Sequence, residues 1–155
     1  MVAIGEQAPD FTAPLANGSI DSVTLAEEWQ ESPVVLVFFP GVFTSVCRAE
    51  LDRFQSRLSE IGGATLYGIS IDTPFAQNAF RDDVGLDFGL ISDTHREIVD
   101  AYDVSMDFEA LGVTDVAKRS VFVIDETGTV RYEWVTDDPG VEPDYDAVIE
   151  AVQSL

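Results

Sequence analysis

Short, uniformly apolar runs alternate along this chain with longer stretches in which apolar residues return every three or four positions. Val34–Phe39 is the densest run, Val-Val-Leu-Val-Phe-Phe, and six apolar residues without polar alternation predict a strand covered on both faces. Behind it, Cys47, Leu51, Phe54, Leu58 and Ile61 recur at steps of four, three, four and three. That is one apolar stripe of a helix, ended by Gly62-Gly63. Ala64–Ile71 reads as a second buried strand, and Asp72-Thr73-Pro74 as a cap with proline at the first helical position, which predicts a helix over about 74–84.

The remaining pattern extends the alternation in both directions. Residues 1–20 predict an extended arm with a hairpin, because Asn17-Gly18 lies between apolar residues, and Asp21–Trp29 predicts a short helical turn. Gly85–Ile91 reads as a short strand or bridge, Ser92–His95 leads into a helix ending near Tyr102, and residues 103–117 follow no single period. Arg119–Asp125 and Thr129–Val135 predict a hairpin around Asp125-Glu-Thr-Gly128, and Asp144–Leu155 a closing helix. Alternating strands and helices predict an α/β domain with a central, mostly parallel sheet. With no linker, repeat or low-complexity segment, residues 1–155 read as a single domain, large enough to bury a core of ordinary size.

Charge narrows the possible partners. The 8 basic and 29 acidic side chains give a net charge of −21; nucleic-acid phosphates and anionic membranes are repelled by such a field, so neither is expected as a partner. The acids are spread along the chain, and Lys118 is the only lysine. This composition suits a halophilic setting, where salt screens self-repulsion within about 3 Å at 1 M. The N-terminal residues have no basic-then-apolar leader pattern and no apolar run approaches a membrane span, so a cytoplasmic protein is expected.

Cysteine chemistry then sharpens one stretch. The chain has one cysteine, which excludes an internal disulfide. Cys47 falls in the first helical turn after the Pro40 turn, where unpartnered backbone N–H groups and the helix dipole favour a thiolate. The other reading of an isolated cysteine on an apolar stripe is an inert core residue. Thr44 is also readable as a helix N-cap, Pro40 as turn punctuation, and Arg119 as a solvated charge at a strand end. Arg48, Arg53 and Arg57, beside Glu50, Asp52 and Glu60, read as solvated charge pairs. His95, the only histidine, is expected exposed; a Cys/His acyl-transfer pair would need it to reach Cys47. No metal-ligand spacing or phosphate-binding glycine pattern is present, so neither metal nor cofactor is expected.

Pro40-x-x-x-Thr44-x-x-Cys47, Glu50 three residues on, the opening Gly5-x-x-Ala8-Pro9-Asp10-Phe11 and the late Arg119-Ser-Val-Phe-Val-Ile-Asp together resemble the peroxiredoxins, the alkyl hydroperoxide reductase and thiol-specific antioxidant superfamily. The match runs from residue 5 to about 135. The resemblance implies a thioredoxin-like fold, with a central mixed sheet flanked by helices and an N-terminal hairpin. It implies a thiol peroxidase acting on hydrogen peroxide and organic hydroperoxides. Cys47 would be the nucleophile, Arg119 the fixed cation beside it, Thr44 a hydroxyl bonded to thiolate and peroxide, and Pro40 a shield over the sulfur. Glu50 would orient Arg119, while the backbone around Phe43, Val46 and Cys47 would hold the peroxide oxygens as a helix N-terminus holds anions.

The departure from many relatives is the absence of a second cysteine. A sulfenic acid on Cys47 then needs an external thiol or thioredoxin-like reductant, as in one-cysteine members. The modest length suggests, by analogy, the compact members that form homodimers. Two other readings stay open: a thioredoxin-fold thiol oxidoreductase, against which Thr44 stands where a Cys-x-x-Cys site needs sulfur, and a non-catalytic redox sensor or holdase.

Overall fold

A computed structural model describes residues 2–155. Among the described residues there are nine strands: β1 (Thr12–Ala16), β2 (Ile20–Thr24), β3 (Val34–Phe38), β4 (Thr65–Ser70), β5 (Gly89–Ser92), β6 (Ser105–Phe108), β7 (Val113–Ala117), β8 (Ser120–Ile124) and β9 (Val130–Val135). Five α-helices accompany them: α1 (Leu25–Glu31), α2 (Ser45–Ser56), α3 (Pro74–Val84), α4 (Glu97–Ala101) and α5 (Tyr145–Gln153).

Seven strands form one mixed sheet in the order β2-β1-β5-β4-β3-β8-β9. The strands β3, β4 and β5 run parallel, β8 is antiparallel to β3, and β1 is antiparallel to β5. Alternate residues of β3 supply two separate cores. Val34, Leu36 and Phe38 join a cluster with Trp29 of α1 and Ile98 and Val99 of α4. Val35, Val37 and Phe39 join Leu51 and Phe54 of α2, Phe80 of α3 and Val148, Ile149 and Val152 of α5. The uninterrupted apolar run therefore reflects a strand with helices on both faces. The expected α/β fold and N-terminal hairpin are present, with Asn17-Gly18 in the turn, but the sheet is mixed where the alternation of elements predicted a mostly parallel one, because only β3–β4 and β4–β5 pair in parallel and β1, β8 and β9 add antiparallel edges.

Three local expectations need correction. Residues 20–24 form β2, and the helix that follows begins only at Leu25; the strand is set by pairing with β1, which no local helical propensity can outweigh. The stripe from Cys47 to Ile61 is not one helix, because α2 stops at Ser56 and a 3-10 turn over Leu58–Ile61 completes it. Glu50 is not a solvated surface charge, being fully buried, whereas Arg48 and Arg57 do pair at the surface, with Asp83 and with Glu60 and Asp146. The aperiodic residues 103–117 contain the separate β6–β7 ribbon.

Candidate active site

The site lies past the C-terminal end of β3, where one neighbouring strand continues the parallel order and the other reverses it. Pro40 follows the strand, Asp72 Oδ2 accepts the Val42 N–H at 2.9 Å, and Phe43 adopts φ 64°. A bulky residue in the left-handed region costs roughly 1–2 kcal/mol, and here that turn delivers the chain into α2 at Thr44. Asp72 also accepts the Ser70 hydroxyl at 2.7 Å, so the loop is tied to the end of β4.

Cys47 sits in the first turn of α2, wholly buried. Arg119, immediately before β8, is 1% exposed and reaches it: Nη2 donates to Cys47 Sγ at 3.3 Å while Nη1 donates to Glu50 Oε1 at 2.8 Å. The Pro139 carbonyl accepts from Nη2 at 2.8 Å and from Nε at 3.2 Å. Five donors in a plane let one guanidinium hold sulfur, carboxyl and carbonyl together. Burial pulls the pKa of Arg119 down, but the adjoining Glu50 and Cys47 outweigh it and hold it above its ordinary value.

A cleft of about 340 Å³ opens over this group, lined by Pro40, Thr44, Ser45, Val46, Phe108, Leu111, Arg119 and Pro139. Its walls are mostly apolar, with a cation and the first turn of α2 at one side. Thr44 occupies the N-cap position, yet its hydroxyl donates to the Gly41 carbonyl at 3.3 Å and does not cap the helix. Phe43 is not part of that lining; its ring is 56% exposed and meets Phe80 edge-on at 5.3 Å. His95 is exposed on the turn before α4, away from the cleft lining.

Cys47, Arg119, Glu50, Thr44, Pro40 and Val46 are thus brought together. Sequence reasoning missed Asp72, Pro139, Phe108 and Leu111. Asp72 acts through its carboxylate, but on a backbone N–H distant in sequence, Pro139 acts through its backbone carbonyl, which leaves no residue signature, and the last two come from the aperiodic ribbon.

Residues 4–133 match the model of the AhpC/TSA family. The chain belongs to that family of peroxiredoxins. It is accordingly an oxidoreductase of the peroxiredoxin class, with the thioredoxin-like fold that the class carries. Among curated relatives it is similar to the thiol peroxidase of Bacillus subtilis, 34% identical over 99% of this chain and 89% of that protein. Among solved structures, peroxidoxin BcpB from Mycobacterium tuberculosis superposes with a TM-score of 0.86 at 25% identity, covering 100% of this chain and 99% of that one. The mitochondrial 2-Cys peroxiredoxin from Plasmodium falciparum gives 0.84 at 26% identity, covering 98% and 93%. This peroxiredoxin has a single, free cysteine. Among the described residues no helix is long and apolar enough to cross a membrane, and no group of three or more His, Cys, Asp or Glu is placed to hold a metal ion.

Proposed function

We propose that this peroxiredoxin is a one-cysteine thiol peroxidase that reduces hydrogen peroxide and organic hydroperoxides. The observation that carries the reading is the Arg119 guanidinium 3.3 Å from the sulfur of the chain's one cysteine. The Cys47 thiolate attacks the terminal oxygen of the hydroperoxide; an S–O bond forms as the O–O bond breaks. Sulfur loses two electrons and becomes sulfenic acid, and the other oxygen leaves as hydroxide or alkoxide and takes a proton from water. Arg119 and the α2 N–H groups at Val46 and Cys47 stabilise the charge moving onto that oxygen. Thr44 swings its hydroxyl from Gly41 to the entering peroxide, Pro40 covers the sulfur, and Glu50 holds Arg119 in register.

The cycle closes with an external thiol. It attacks the sulfenic sulfur, expelling water and leaving a mixed disulfide, and a second thiol or thioredoxin-like reductant then releases the Cys47 thiolate. A cytoplasmic homodimer fits the composition and the exposed Phe43 and Phe75, 56% and 73% accessible; sedimentation equilibrium tests the dimer.

The deciding experiment treats reduced protein with hydrogen peroxide, traps sulfenic acid with dimedone, and follows turnover with an added thiol. Trapping at Cys47 faster than at free cysteine, over many cycles, is expected. Oxidation no faster than free cysteine would remove the peroxidase reading, and a single cycle without turnover would favour a sensor.

A further inference from the structure

The buried group at the site holds two acids and one cation. Cys47 and Glu50 lie one turn apart on α2, both wholly buried, and Arg119 is the guanidinium between them. Glu50 Oε2 has no hydrogen-bond partner. If thiol and carboxyl both ionise, a dry site carries one uncompensated negative charge inside a molecule of net charge −21. If one proton remains, the site is neutral. An unpaired buried charge is far more costly than a protonated acid.

We propose that Glu50 keeps that proton in the resting enzyme, so that the full charge of Arg119 serves the Cys47 thiolate and ionisation of Glu50 opposes ionisation of the thiol. This makes Glu50 a positioning and proton-holding residue, whose role goes beyond aiming the guanidinium. It rests on the peroxidase reading only for its purpose, because the proton inventory exists whether or not peroxide is the substrate.

The groups facing Glu50 agree with the assignment. From the strand side comes Arg119; from the 136–144 segment comes Glu142, a further negative charge; from the start of α5 comes Tyr145, whose hydroxyl donates to Glu142 Oε1 at 2.6 Å. On its own helix the neighbours are Cys47 one turn before and Arg53, whose charge acts on Tyr145. Burial pushes the Glu50 carboxyl up to about 8; Arg119 opposes this through charge and hydrogen bond, and Glu142 adds to it.

Two measurements test the proposal independently of peroxidase activity. With 13C-carboxyl glutamate incorporated, NMR should show one resonance titrating near or above neutrality while the others titrate in acid. Glu50 is the one fully buried glutamate among the described residues, so the signal is identifiable even if a variant does not fold, and Glu50→Gln should remove it. Alkylation of Cys47 by iodoacetamide should rise with pH over a span wider than a one-proton curve, as coupled titrations do. In Glu50→Gln it should contract to a one-proton curve displaced to lower pH, because the carboxylate that opposed the thiolate is gone. If every glutamate titrates in acid and the unmodified protein already follows a one-proton curve, Glu50 is a permanent carboxylate and the proposal fails. If both signatures appear but no peroxide is reduced, only the peroxidase reading fails.

Discussion

Arg119 stands 72 positions after Cys47, yet its Nη2 lies 3.3 Å from the Cys47 sulfur because β8 pairs antiparallel beside β3. In register, Phe38 faces Ser120, so the end of one strand and the start of the other meet at the same edge of the sheet. The cation is delivered by strand pairing.

Replacing Arg119 with alanine should slow sulfenic acid formation by about 100-fold or more, the cost found when one donor to developing charge is lost. Arg119→Lys should restore only part of it, because an ammonium cannot serve Cys47 Sγ, Glu50 Oε1 and the Pro139 carbonyl in one plane. Stopped-flow oxidation of the three proteins gives the answer; equal rates would take Arg119 out of the site.

Asp72 is expected to govern the order of the catalytic loop. Asp72→Ala leaves the Val42 N–H and the Ser70 hydroxyl without their acceptor, at a cost of about 1–3 kcal/mol for each group left buried and unpaired. Amide exchange at Val42 and Thr44 should accelerate and peroxide oxidation should fall, while Asp72→Asn, which keeps an acceptor oxygen, should recover most of both. Unchanged exchange at Val42 would contradict the tether.

Phe108 and Leu111 supply apolar lining to the cleft that Arg119 also lines. For Phe108→Ala, kcat/KM with cumene hydroperoxide should drop about tenfold, in keeping with the discrimination available from apolar contacts, and hydrogen peroxide should be affected much less. A uniform loss with both peroxides would mean that the ribbon supports the fold and does not select the substrate.

Stability should carry the mark of Glu50 with a definite sign. The folded carboxyl is raised to about 8 from an ordinary 4.5, chiefly by burial. Its contribution is complete below about 4.5 and is lost as pH rises through 8. Glutamine cannot ionise, so Glu50→Gln should gain on the parent protein across that window, by roughly 1.4 kcal/mol for each pKa unit separating the two states. Urea unfolding near pH 5 and near pH 9 measures the gain; a difference independent of pH would show that the folded carboxyl is already ionised in acid.

The charge of −21 predicts salt dependence. Self-repulsion is screened within about 3 Å at 1 M salt and within about 10 Å at 0.1 M, so the melting temperature should climb with KCl into the molar range. A melting temperature independent of KCl would end the halophilic reading.

Much of this was legible from one dimension. The period of the apolar positions locates β3, β4 and α3, with α3 starting at Pro74 behind a Thr73 cap that accepts the Ala76 N–H. Elements held by contacts distant in sequence were less legible. The strand β2 exists because β1 pairs with it, and the β6–β7 ribbon has too few periodic residues to declare itself.

For the site, residue types and their spacing determined by themselves that Cys47 begins a helix behind a proline turn and that no second thiol is available; Arg119 was singled out among the cations only by the family resemblance, and the structure places it on the sulfur. They did not determine how Glu50 is used. Helical periodicity puts Glu50 one turn from Cys47, but whether that position meets water or a guanidinium depends on what packs against α2. Only the tertiary structure decided this, by bringing Arg119 and the Pro139 carbonyl over the helix and closing water out. The chemistry of a buried carboxyl follows from its surroundings, and those come from strand order, which no local pattern in the sequence records.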